Sequence, residues 1–207
     1  METGDPGARD MEAEAAPSWI VEVRSRLAAP PPRRLPVADL RGAAVLVPLY
    51  VAAGELWTVL TKRSDTLPSH RSQIAFPGGG REAGEDPWAA ALREANEEVG
   101  IDPAHVLRLG ELDEAETPAG FRIIPCVGAI PFPYELRPSV AEIAEILPLP
   151  LAAFANPRLV EERDVVYDGT RRALRIYHVG GRRVWGLTAR VLQNLLVRLG
   201  MESPEEG

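Results

Sequence analysis

Apolar side chains recur along this chain in two rhythms, each predicting one kind of element. Trp19, Ile20, Val23 and Leu27 fall at helical spacing and predict a short amphipathic helix. Pro30, Pro31 and Pro32 break it, and with Arg33 and Arg34 they make a stiff connector. Residues 43–51 are almost continuously apolar, the pattern of a strand buried on both faces. Gly54 and Glu55 turn the chain into a second strand over 56–61. Further strands are predicted at 106–111 and 122–130, and 142–154 reads as a strand passing into a helix. Residues 165–167 and 174–178 resemble two strands, with Asp168-Gly169 as a hairpin turn signal between them. Leu187, Val191, Leu192, Leu195, Leu196 and Leu199 mark an amphipathic helix over 187–199.

Helices and strands mix here without a regular βαβ rhythm, which predicts an α+β fold with a mixed sheet packed between helices. A length of 207 residues suits one domain with terminal additions. Residues 1–16 have too few large apolar groups to offset ordering entropy and read as a disordered leader. Residues 17–40 are the helix and connector, 41–200 the main domain, and 201–207 a tail. With 45% hydrophobic and 26% charged residues, a core can be filled. The single cysteine, Cys126, lies among apolar neighbours and reads as a core thiol; it forms no internal disulfide, which fits a reducing compartment. The N-terminus lacks the basic start and apolar run of a secretory signal. The longest apolar stretch, 43–53, falls short of the roughly 20 residues a bilayer span needs. A cytoplasmic protein with no membrane partner is expected. A net charge of −7 and a pI near 5.1 argue against a nucleic-acid partner. They leave room for a small phosphorylated ligand, screened by a local basic pocket or a metal ion.

The chemistry concentrates between Gly78 and Ile101. Asp86 is a good N-cap, Pro87 suits the first helical position, and Gly100 can take the left-handed conformation that ends a helix. A helix over 87–99 follows. At roughly 100° per residue, Trp88, Leu92, Ala95 and Val99 share the face that packs on the sheet, while Glu94, Glu97 and Glu98 project from the other. Like charges at this spacing disfavour the helix by a few tenths of a kcal/mol per pair. Such a cluster is either a solvated acidic face or a site for a hard cation, since Mg²⁺ takes carboxylate oxygens and leaves positions for water and phosphate. Three consecutive glycines after Phe76-Pro77 favour the second reading, because they permit a close backbone approach that a plain turn does not require. Arg93 can pair with Glu85 or Glu97 and so orient the ligands.

Five residues separate Gly79 from Glu85, and seven separate Glu85 from Arg93-Glu94-Ala95; Glu97-Glu98 and Gly100-Ile101 then follow at single-residue gaps. This resembles the complete Nudix box, with Ala95 standing where a larger aliphatic residue is usual. The resemblance implies the Nudix αβα sandwich and a loop–helix–loop site for Mg²⁺ (or Mn²⁺). Glu94 and Glu98 would be ligands, Glu97 a further ligand or the base, and Arg93 their companion. The metal ions would neutralise a diphosphate and activate water, with no covalent intermediate. The family often draws another carboxylate from a later segment, where Glu142 and Glu145 are the candidates. Strand alternation puts these two on opposite faces, so at most one would face the metals.

Upstream, Leu60-Thr61-Lys62-Arg63-Ser64, His70, Gln73 and Phe76-Pro77-Gly78-Gly79 resemble the extra signature of the coenzyme A pyrophosphatase branch, as does Trp185-Gly186-Leu187-Thr188-Ala189. Pro68 stands where that signature usually has Arg, and Ser72 where it has Gly. The resemblance implies hydrolysis of coenzyme A or an acyl-CoA to 3′,5′-ADP and 4′-phosphopantetheine or its acyl form. Arg63 has the fork to hold a phosphate, and Arg71 or Arg81 can replace the missing arginine. Gly78 and Gly79 would let the substrate approach the backbone. His70 would contact the ligand or brace its own loop. The alternatives are a Nudix hydrolase of ADP-ribose or NADH, and a Nudix-fold binding module without turnover. The partner is a small nucleotide in each case, and the sequence does not speak to oligomeric state.

Overall fold

In a computed structural model, residues 16–36, 39–65, 73–167 and 169–202 are described. The leader lies outside them except for Ala16. So do Pro68, His70, Arg71, Ser72, Asp168 and the tail from residue 203. The elements in chain order are α1 (Ser18–Ala28), β1 (Arg41–Ala52), β2 (Glu55–Arg63), β3 (Ile74–Ala75), β4 (Gly78–Gly80), α2 (Pro87–Val99), β5 (Leu107–Glu111), β6 (Ala115–Glu116), β7 (Phe121–Ala129), β8 (Ile143–Pro150), α3 (Leu151–Phe154), β9 (Val160–Tyr167), β10 (Thr170–Val179), β11 (Arg182–Trp185) and α4 (Gly186–Arg198).

Among the described residues β1 to β8 form one mixed sheet, in which the path β3-β2-β1-β7-β5 is extended by β4 on β1, β6 on β7 and β8 on β2. β1 runs parallel to β7 from Arg41 opposite Phe121 to Leu49 opposite Ala129, and antiparallel to β2 and β4. Its alternation sorts two cores. Ala44, Leu46 and Tyr50 face α2, where Trp88, Leu92, Ala95 and Val99 meet them together with Ile124 and Cys126. Val47 and Leu49 face the opposite layer of α1, α3 and α4, through residues such as Ile20, Leu27, Phe154, Leu192 and Leu196. Both faces of the sheet are thus covered by helices, an α+β sandwich. Burial pushes the Cys126 thiol well above its usual range, as a core position dictates.

Two features differ from the sequence reading. The glycine run forms β4, a three-residue strand hydrogen-bonded to β1 at Ala43–Val45, too short to carry a periodic signal. A second sheet, β11-β10-β9, includes a strand over 182–185 that the hydrophobic pattern does not reveal. It joins the α4 core through Tyr177, Val179 and Val184, and Phe154 meets Tyr177 edge to face at 5.4 Å. Thr188, in the first turn of α4, donates its hydroxyl to the Ile74 carbonyl (2.9 Å) and so ties α4 to β3. The connector is pinned as well. The Arg33 N–H donates to Asp113 (3.0 Å), the Leu35 N–H donates to Glu114 (2.8 Å), and Arg198 binds both Asp113 (2.5 Å) and the Pro30 carbonyl (2.6 Å).

Candidate active site

α2 carries the site because its ends are fixed locally. The Asp86 carboxylate accepts from the Trp88 and Ala89 N–H groups at 3.0 and 3.3 Å. At the other end Gly100, at φ +72°, turns back so that its N–H reaches Asn96 O and the Ile101 N–H reaches Ala95 O, a glycine-terminated helix end. β4 runs along this helix, and two glycines of the strand meet two carboxylates of the helix. A Cβ on Gly79 would lie 2.5 Å from the Glu94 carboxylate. The Gly78 N–H donates to Glu98 Oε2 at 3.1 Å.

The three glutamates do not share one exposed face. Glu97 is open, with its side chain 59% exposed, but Glu98 is buried. It lies about 60° around the helix from Ala95, near enough to the apolar face for β4 to cover it. Arg63, at the end of β2, reaches Glu98 Oε1 through Nη1 at 3.1 Å. Sequence gives no sign of this pair, whose members are 35 residues apart. The Glu98 carboxyl is pushed up to about 7, chiefly by burial, with Glu94 and Glu142 adding to the rise and the Gly78 N–H and the Arg63 charge opposing it. Glu142 therefore shares the electrostatic neighbourhood of Glu98. Its carbonyl also receives the Ser64 N–H at 2.7 Å, and the Ser139 N–H caps the Glu98 carbonyl at 2.8 Å. Glu145 is engaged elsewhere, by Arg182 at 2.6 and 2.7 Å.

Arg93 is the hub of the outer part. Its Nε and Nη2 grip Glu85 at 3.0 and 3.2 Å, Nη2 also donates to the Gly80 carbonyl (3.0 Å), and Nη1 donates to Glu94 (2.7 Å). Glu97 lies 3.5 Å from the same Nη1. The hydrogen bonds to Glu85 and Glu94 raise the Arg93 pKa above its usual value. The hydrogen bond from Arg93, followed by the Glu82 N–H, holds the Glu85 carboxyl below the carboxylate range. Arg81 braces this loop from behind by donating Nε to the Glu85 carbonyl at 2.9 Å. Arg63, Gly78, Gly79, Arg93, Glu94, Glu97 and Glu98 thus come together, with Glu142 at their edge.

Among the described residues no three His, Cys, Asp or Glu side chains converge as a finished cage for an ion. The donor chemistry nevertheless fits a hard divalent cation. Glu98 is a buried carboxyl that meets only Arg63 on Oε1 and the Gly78 N–H on Oε2 among the described residues, Glu94 is set against β4 beside it, and both offer oxygen.

Residues 40–150 match the family model described as NUDIX domain. The chain is 36% identical over 167 residues to a protein of Photorhabdus laumondii named Uncharacterized Nudix hydrolase NudL, covering 80% of this chain and 88% of that one. A protein of the same name from Cronobacter sakazakii is 37% identical over 161 residues, or 77% of this chain and 83% of that one. Among solved structures, a C. elegans Ap4A hydrolase binary complex is similar at 23% identity and a TM-score of 0.46, over 54% of this chain and 81% of that one. That likeness is too distant to bear on substrate. Among the described residues no helix is long and apolar enough to cross a membrane.

Proposed function

The chain belongs to the Nudix family of hydrolases, and from that membership we propose that its substrate is coenzyme A or an acyl-CoA, cut at the diphosphate to 3′,5′-ADP and 4′-phosphopantetheine or its acyl form. Enzymes of this family hydrolyse nucleoside diphosphate derivatives and use divalent ions such as Mg²⁺. The observation that carries the narrower reading is the segment Leu60-Thr61-Lys62-Arg63-Ser64, whose arginine meets Glu98 beside Gly78.

The roles we assign follow from reach and charge. Glu94 and Glu98 would hold the cation, Mg²⁺ or Mn²⁺, through carboxylate oxygens, and Glu97 would be a third ligand or the base. When bound, the cation neutralises the diphosphate and lowers the pKa of the attacking water. Arg93 acts through Glu94, which it fixes at 2.7 Å, and is a positioning residue. Gly78 and Gly79 admit the diphosphate close to the backbone, where a side chain would stand in the way. Arg63 offers a planar fork to a substrate phosphate. Arg71 and His70 complete the substrate contacts. Glu142, near enough for its charge to be felt at Glu98, is the better of the two later carboxylates as an alternative base. We place this activity in the cytoplasm, with a small nucleotide as partner. The unit responsible is residues 41–200, since β9–β11 and α4 share one core with β1.

The test is a product assay of the purified protein against CoA, ADP-ribose, NADH and deoxynucleoside triphosphates, with and without Mg²⁺. Mass spectrometry should find 3′,5′-ADP and 4′-phosphopantetheine from CoA, only with Mg²⁺ present and at the highest kcat/KM of the set. Faster turnover of ADP-ribose or NADH would move the substrate to another branch of the family. Binding without turnover of any compound would make the protein a nucleotide-binding module.

A further inference from the structure

Arg63 holds Glu98 in an incomplete way. Arginine–carboxylate pairs are frequently bidentate, with two parallel N–H groups on the two oxygens. Here only Nη1 reaches Glu98, at 3.1 Å on Oε1, while Oε2 is taken by the Gly78 N–H. The Arg63 Nε is buried and meets no acceptor among the described residues. The side chain as a whole is 25% exposed, against 4% for Glu98, so the arginine has a way out and the glutamate does not. Glu94, the neighbouring carboxylate, has its own guanidinium in Arg93 at 2.7 Å, so Arg63 is the guanidinium that meets Glu98.

We propose that Arg63 is a stand-in cation, which neutralises Glu98 until a divalent ion takes that carboxylate and is then released toward the anionic groups of the substrate. The proposal rests on the assignment of Glu98 as a metal ligand made above. Its physical basis is competition. A guanidinium and a divalent cation repel each other, and neither can hold Glu98 Oε1 at full strength beside the other. A divalent ion would be attracted to the carboxylates more strongly than a monovalent guanidinium is, so Arg63 would give up Glu98 Oε1 to it. The released fork, whose Nε lacks an acceptor among the described residues, would then be available to a phosphate. Metal binding thereby prepares the substrate contact, and Arg63 serves both stages in turn.

The competing role, in which Arg63 orients Glu98 for the ion, predicts the opposite sign. The discriminating experiment is calorimetric titration of Mn²⁺ into the substrate-free full-length protein and into Arg63→Gln, Arg63→Lys and Glu98→Gln. If Arg63 must be displaced, Arg63→Gln leaves Glu98 uncompensated and should bind Mn²⁺ roughly tenfold more tightly than the wild type. Arg63→Lys should fall between them. Unchanged or weaker binding by Arg63→Gln would overturn the proposal. Glu98→Gln separates this failure from that of the metal assignment: if it binds Mn²⁺ as the wild type does, Glu98 is no ligand, and both readings fall together. Should circular dichroism show Arg63→Gln unfolded, the wild type still decides. Saturating Mg²⁺ should shift the Arg63 Nε–H resonance and speed its exchange with solvent, and an unmoved resonance would contradict release.

Discussion

Arg63 is the residue on which substrate choice turns in this account. Coenzyme A differs from dephospho-CoA only by the 3′-phosphate, and a charge-assisted contact to that group is worth about 1.5–3 kcal/mol. The expected preference for CoA in kcat/KM is therefore roughly tenfold or more. Arg63→Ala should erode it, and Arg63→Lys should restore only part, because an ammonium cannot reproduce the fork. Equal kcat/KM values for the two substrates in the wild type would show that the 3′-phosphate goes unread. Gly78 and Gly79 make a second pair of residue-scale expectations. A methyl on Gly79 meets the Glu94 carboxylate at 2.5 Å, the far end of a flexible side chain that can swing aside. Gly79→Ala should thus keep nearly its full stability and lose at least about tenfold in kcat. A methyl on Gly78, at φ +156°, meets the Val45 Cα at 2.5 Å, where neither backbone can yield. Gly78→Ala should cost roughly 2–4 kcal/mol in urea unfolding. Equal stability losses in the two variants would contradict this division.

α2 is the element whose sequence speaks most plainly, because everything that defines it is local. Asp86, Pro87 and Gly100 lie at its own ends, and the structure gives Pro87–Val99 with the cap bonds those residue types require. Asp86→Ala removes the acceptor for two N–H groups and should lower stability by about 1 kcal/mol; thermal melts that show no loss would mean the helix end is held by other contacts. The core helices were also legible, since Ile20, Val23 and Leu27 or Leu192, Leu195 and Leu196 repeat at helical spacing and are buried. What stayed hidden depends on partners distant in sequence. Glu98 looks like the other acidic positions until β4 closes over it. The partner of Glu145 is Arg182, 37 residues later, and nothing in either segment announces the other. The two- and three-residue strands β3, β4 and β6 hold their places through pairing with β1, β2 and β7, and such lengths show no period. In β9 the sequence pattern shows only the end, 165–167; the charged stretch Glu161-Glu162-Arg163-Asp164 masks the rest by its polarity, and pairing with β10 carries the strand back to Val160.

Across the whole molecule, the N-terminal connector, the β5–β6 turn and α4 are fastened at Asp113. It takes the Arg33 N–H and the Arg198 guanidinium on Oδ1, and Asn194 Nδ2 on Oδ2 at 3.2 Å. Burial pushes the Asp113 carboxyl up, but the bonds from Arg33 and Arg198 outweigh it and hold the group below its ordinary value. A depressed folded-state pKa stabilises the protein above the unfolded value of about 3.9 and stops doing so as pH falls through the folded value. Asp113→Asn should cost about 1–3 kcal/mol at neutral pH. Between roughly pH 4 and pH 2 the melting temperature of the wild type should fall more steeply than that of the variant, and parallel slopes would contradict the assignment. The central claim, that a carboxylate-held divalent ion drives diphosphate hydrolysis beside β4, is tested most directly by one comparison. The rate of 3′,5′-ADP release from CoA at saturating Mg²⁺ is measured for the wild type and for Glu98→Gln, with circular dichroism of both. The amide keeps the shape and loses a ligand oxygen's charge, so the predicted result is an unchanged spectrum and a kcat lower by roughly 10²-fold or more. A folded Glu98→Gln with near wild-type turnover would contradict it.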